Sequence, residues 1–89
     1  MKKAISLSIK GQVQGVGFRY HTLNRARELE IYGFVTNQPD GSVYIEAEGS
    51  SAAVDLFVEW CRQGPRRAIV ESVEINRIES RNYIGFTVK

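Results

Sequence analysis

The sequence predicts an α+β fold: an antiparallel sheet with two helices packed on one face and a short extra strand at the C-terminal end. Three observations carry that expectation. Several stretches alternate apolar and polar residues with a strand's period of two. Two others repeat apolar residues at helical spacing, and the two kinds of segment are interleaved. At 89 residues a second hydrophobic core would leave each half below the size that usually folds without disulfides or metals, so residues 1–89 are expected to form one domain.

Residues 3–10 read as the first strand, with Ile5, Leu7 and Ile9 on one side and Ser6, Ser8 and Lys10 on the other. Gly11-Gln12-Val13-Gln14-Gly15-Val16-Gly17 then places three glycines in seven positions, a loop that turns sharply or approaches something closely. From Arg19 to about Glu30, Leu23, Ala26 and Leu29 share one helical face while Arg25, Arg27, Glu28 and Glu30 face water.

Tyr32 to Asn37 is a second strand, and Pro39-Asp40-Gly41 is a turn in which proline fixes φ and glycine supplies a positive φ. Val43, Ile45 and Ala47 alternate with Tyr44, Glu46 and Glu48, so the third strand should form a hairpin with the second. After Gly49-Ser50-Ser51 a second helix carries the stripe Ala53, Leu56, Phe57, Trp60 and Cys61, and Gly64-Pro65 stops it. Val73 and Ile75 begin a fourth strand, and Ile84 to Val88 forms a closing strand after a turn near Arg81-Asn82. This β-α-β-β-α-β order is ferredoxin-like. Right-handed crossovers would set both helices against Ile5, Leu7, Val43 and Ile45.

Composition narrows the function. A hydrophobic fraction of 43% with 25% charged residues is that of a globular chain. Twelve basic against ten acidic residues give a net charge of +2, too little to argue for nucleic acid or a membrane and compatible with a small anionic ligand. Cys61 is the only cysteine and His21 the only histidine, which excludes an internal disulfide and an intra-chain Cys/His zinc set. Met1 to Ile9 has a strand's alternation rather than a signal peptide's apolar run, and no stretch approaches the roughly 18 apolar residues of a membrane span. A cytoplasmic location is expected.

The chemistry concentrates where the glycine loop runs into Phe18-Arg19 and a helix. Successive N–H groups in such a loop converge into a concave nest, the helix adds the positive end of its dipole, and Arg19 adds a planar fork matched to phosphate oxygens. No Gly-Lys-Ser/Thr follows and no G-x-G-x-x-G is present, so the loop suits a small phosphoryl group rather than a nucleotide. As a pattern alone, the glycines could equally serve a tight strand-to-helix turn.

The stretch Gly11-Gln12-Val13-Gln14-Gly15-Val16-Gly17-Phe18-Arg19 resembles the signature of the acylphosphatase family. Gly33-Phe34-Val35-Thr36-Asn37 with Pro39-Asp40-Gly41-Ser42-Val43 resembles that family's second signature, in which an Asn ends strand two. Glu59-Trp60 and Gly64-Pro65 are similar as well, so the resemblance covers nearly the whole chain. Phe34 stands where a Trp is common and Thr36 where a basic residue is frequent; neither departure touches the chemistry.

The resemblance implies a ferredoxin-like fold and hydrolysis of the carboxyl-phosphate bond of acyl phosphates without metal or cofactor. It implies that amides of the loop, over Gln14, Gly15, Val16, Gly17 and Phe18, hold the phosphoryl group together with Arg19, while Asn37 holds the attacking water. Elementary chemistry agrees, because phosphoryl transfer through a loose transition state needs positioning and charge stabilisation more than covalent help. The leaving carboxylate, whose conjugate acid has a pKa of roughly 4, departs without a general acid.

The expected partners are an acyl phosphate and the inorganic phosphate product, with no nucleic acid and no membrane, and the chain is expected to act as a monomer. Recognition concentrated on the phosphoryl end predicts broad tolerance of the acyl group. His21 has no nucleophile or orienting carboxylate beside it in sequence, Cys61 and Trp60 belong to a core stripe, and Arg66-Arg67 reads as a solvated pair. Two rival functions are a non-catalytic phosphate-binding module and an RNA-binding domain of the same element order. Asn37 argues against the first, which has no need of a water-positioning amide. The second would need more aromatics on the open sheet face, and Tyr32-Gly33-Phe34-Val35 falls on the wrong strand for it.

Overall fold

A computed structural model describes residues 1–89. The elements follow the order β1 (Lys2–Gln12), α1 (Phe18–Glu28), β2 (Tyr32–Asn37), β3 (Val43–Ser50), α2 (Ser51–Gln63), β4 (Ile69–Arg77) and β5 (Phe86–Val88). They build one five-stranded sheet in the order β4-β1-β3-β2-β5. The α+β, ferredoxin-like architecture expected from the sequence is the one observed.

The first four strands pair antiparallel, with Leu7 opposite both Ile45 and Ile75 and Val35 opposite Ile45. The short β5 joins β2 in parallel, Gly33 opposite Phe86 and Val35 opposite Val88, so the complete sheet is mixed. Topology dictates that direction. The chain leaves β4 at the end of the sheet where β2 begins, so a strand laid on β2's outer edge from there runs the way β2 runs.

Both helices cover one face. Ile5, Leu7 and Ile9 of β1, Val35 of β2, and Val43, Ile45 and Ala47 of β3 pack with Phe18 and Ala26 of α1 and Val54, Phe57 and Cys61 of α2. Each such Leu, Ile, Val or Phe contributes about 1.5–3 kcal/mol by leaving water. No helix is long and apolar enough to cross a membrane.

Two helical stripes differ in detail from the periodicity reading. In α1 the buried line is Phe18, Thr22 and Ala26, while Leu23 and Leu29 are only half-buried. The helix begins at Phe18, whose buried ring meets Trp60 edge-on at 5.7 Å and fixes the rotation of α1. Thr22 can then be buried because its hydroxyl donates to the Phe18 carbonyl at 2.7 Å. In α2 the buried line is Val54, Phe57 and Cys61, and Leu56 stands in solvent. Ser50 caps α2 by accepting from the Ala53 amide at 3.2 Å, and Gly64 ends it at φ 70°.

Glu46 and Glu48, which alternation assigns to the open face, are 8% and 1% exposed. Residues 80–83 fold over them on the way from β4 to β5. The Glu48 carboxylate accepts from the Ser80 hydroxyl at 2.6 Å and from the Arg81 and Tyr83 amides at 3.2 and 3.0 Å, with Lys2 Nζ at 3.2 Å. Glu46 accepts from the Tyr44 and Tyr83 hydroxyls. Burial opposes ionisation of Glu48, but the bonds from Ser80, the Tyr83 amide and Lys2 outweigh it and hold the carboxyl down at about 2.

Candidate active site

At the opposite end of the sheet β1 runs out, and a β-bulge between Lys10 and Gly11 shifts its register with β4. Gly11 is obligatory there: at φ 133°, a Cβ would lie 2.1 Å from the Ile69 carbonyl oxygen. The chain then enters the loop 13–17, in which Gly15 and Gly17 adopt left-handed conformations at φ 74° and 79°. This alternation of backbone handedness makes a nest. None of the N–H groups from Gln14 to Tyr20 donates to a protein acceptor.

The helix that follows leaves its own positive end open. Gly17 is the N-cap of α1, no side chain caps it, and its first turn holds no acidic residue. Basic residues Arg25 and Arg27 occupy the last turn, the favourable end for them. A loop of unpaired amides feeding an uncapped helix start is an arrangement that favours negative charge.

A cleft of about 390 Å³ opens over this junction. Val13, Gln14, Gly15 and Gly17 line it from the loop, Phe18, Arg19 and Tyr20 from α1, Asn37 from the end of β2 and Val88 from β5. Val16 packs toward the core and contributes only main chain to the run of free amides. The fold therefore brings Arg19 and Asn37, 18 residues apart in sequence (37 − 19), into one concavity with the loop.

Arg19 is oriented from the far end of the chain. Its Nη1 donates to the Lys89 main-chain oxygen at 2.9 Å, and the Lys89 amide donates to the Val35 carbonyl at 2.8 Å. One donor is thereby committed, and the remaining donors of the guanidinium fork stay available to an anion. The side-chain amide of Asn37 bonds to no other residue, so both its donor and its acceptor are free.

Gln14 has a different place from the other loop residues. Its Nε2 donates to the carbonyls of Gln38 and Ser42 at 2.8 and 2.9 Å, tying the loop to the β2–β3 turn. That turn is itself braced, because Asp40 accepts from the Ser42 hydroxyl and amide at 2.6 and 3.0 Å. Those two bonds hold the Asp40 carboxyl below the usual carboxylate range.

A family model described as acylphosphatase matches residues 5–88. The chain belongs to the acylphosphatase family. An acylphosphatase of Archaeoglobus fulgidus is 47% identical over 85 residues, covering 96% of each chain. A solved structure of an acylphosphatase from Coxiella burnetii has a TM-score of 0.95 at 33% identity, covering 99% of this chain and 93% of that one. The crystal structure of acylphosphatase from Bacillus subtilis gives 0.94 at 32% identity, covering 100% and 99%.

Other parts of this acylphosphatase-family fold hold nothing comparable. His21 is exposed, meets Tyr20 edge-on at 5.7 Å and lines no part of the cleft. Cys61 is fully buried, and burial pushes its thiol up, away from reactivity. No three His, Cys, Asp or Glu side chains converge to hold a metal ion. A larger depression of about 530 Å³, bordered by Lys2, Tyr32 and Asn82, contains neither an arginine nor a run of free amides. The sequence did not single out Tyr20 or Val88, which line the cleft, or Lys89, whose main-chain oxygen accepts from Arg19. The places of Val88 and Lys89 depend on where β5 lands, which no local pattern encodes.

Proposed function

We propose that this chain hydrolyses acyl phosphates to a carboxylate and inorganic phosphate, with Arg19 and the amides of residues 14–20 holding the phosphoryl group and Asn37 positioning water. The observation that carries this reading is a run of amides without protein acceptors, bounded by Arg19 and sharing one cleft with the unpaired side chain of Asn37.

The free amides and guanidinium donors satisfy the equatorial phosphoryl oxygens, whose charge grows as the transition state loosens. The Asn37 carbonyl oxygen accepts a hydrogen bond from a water molecule and aims the water's lone pair at phosphorus. A bond forms from water oxygen to phosphorus as the phosphorus–acyl oxygen bond breaks, and the electron pair leaves on the carboxylate. The water proton passes to a phosphate oxygen, so no side chain has to titrate.

Hydrolysis of a simple aromatic acyl phosphate by the purified chain, with chelator present, tests this. Arg19→Ala should lower kcat/KM by about 10²–10³, the scale of losing a transition-state donor. Asn37→Ala should lower kcat while inhibition by inorganic phosphate stays near the wild-type value. A wild type that binds phosphate without turnover would make the chain a binding module, and near-normal rates in both variants would remove the roles given to them.

A further inference from the structure

Two exposed apolar side chains flank the phosphoryl cleft, and the hydrolysis described above gives neither a task. Tyr20 is 64% exposed and Val88 is 38% exposed. Exposed apolar residues scattered singly are ordinary on a protein surface. These two border the same cleft, one from the helix and one from the edge strand, above the buried Val13 and Phe18.

Each is carried by an element of the fold. Tyr20 follows Arg19 in the first turn of α1, and its ring meets His21 edge-on, with 72° between the planes. The Tyr20 hydroxyl donates to no residue and accepts from none, so the ring's placement owes nothing to a polar contact within the chain. Val88 pairs with Val35 in the sheet, and the bond from Arg19 to the Lys89 oxygen pins the end of β5 beside the start of α1.

An acyl phosphate has two chemically different ends. Arg19 and the amides answer the phosphoryl end, so the carbon skeleton must leave through the mouth of the cleft. There it meets an aromatic ring and a branched aliphatic side chain, with no Asp or Glu lining the cleft. We propose that Tyr20 and Val88 form a seat for the acyl group, favouring aromatic or extended apolar carboxylic phosphates over the shortest ones. This rests on the acyl phosphate reading above and assigns the other half of the same substrate. The seat is open to solvent, so it grades substrates and does not exclude any.

The test compares benzoyl phosphate with acetyl phosphate for the wild type, Tyr20→Ser, Tyr20→Phe and Val88→Ser. Because each variant's ratio between the two substrates is compared with the wild type's ratio, their different intrinsic reactivity cancels. Tyr20→Ser should raise KM for benzoyl phosphate by about three- to tenfold relative to acetyl phosphate, the size of one lost aromatic contact. Val88→Ser should move the ratio the same way by less, and Tyr20→Phe should preserve it, since the ring and not the hydroxyl does the seating. Equal KM changes for the two substrates in Tyr20→Ser would overturn the seat while leaving the hydrolase reading intact. A wild type inert toward both substrates would overturn the two readings together.

Discussion

Gln14 sits in the middle of the loop proposed to hold phosphate, yet its side chain serves the loop's own placement. Its two bonds to Gln38 and Ser42 join segments 24 and 28 residues away, so the sequence neighbourhood of Gln14 contains no hint of them. Gln14→Ala should cost about 1–2 kcal/mol of stability, near 1 kcal/mol for each hydrogen bond lost. It should also weaken phosphate binding several-fold by freeing the loop, without abolishing turnover. Denaturant midpoints at constant m, together with phosphate inhibition constants, check both parts. Arg19 and Asn37 are the opposite case: the glycine loop running into Arg19 marks Arg19 in the sequence and the family resemblance marks Asn37, and only their meeting in one cleft needed the fold.

At the scale of elements, the contrast between the two helix starts is informative. Ser50 caps α2 with its side chain, whereas α1 starts at a left-handed Gly17 and leaves its first amides without a protein acceptor. Gly17→Ala should cost about 1–2 kcal/mol, the penalty of a left-handed alanine, because the new Cβ meets His21 Cδ2 at an ordinary 3.5 Å and nothing nearer. Phosphate affinity should fall with it as the nest flattens, which isothermal titration with inorganic phosphate would measure. Element order, both hairpin strands and the glycine loop were legible from period and turn chemistry. The rotation of α1 was not, because Phe18 lies on the loop side of the expected boundary and its packing on Trp60 overrides the Leu23-Leu29 stripe. The burial of Glu46 and Glu48 was also hidden, since strand alternation distinguishes two faces but cannot know that residues 80–83 cover the second.

Across the whole molecule, that covering segment links the acid stability of the protein to its topology. Glu48 is depressed from its ordinary 4.5 to about 2 in the folded chain. A lowered folded pKa contributes stability that is complete above the unfolded value and is lost as pH falls from there toward the folded one. The expected loss is on the order of 2 kcal/mol, allowing for screening at the half-exposed Lys2. Glu48→Gln should be less stable than the wild type at neutral pH, with the gap narrowing between about pH 5 and pH 2; denaturant unfolding of both proteins across that range measures it, and a constant gap would contradict the assignment. The same path from β4 to β5 also has a meaning in time. Arg19 takes its orientation from a residue 70 positions along the chain, one of the most non-local contacts the fold makes, and loops of that length close late and slowly. Assembly of the proposed phosphate site is therefore tied to the docking of β5, so a partly folded molecule with its helices and hairpin in place would still lack an aligned guanidinium.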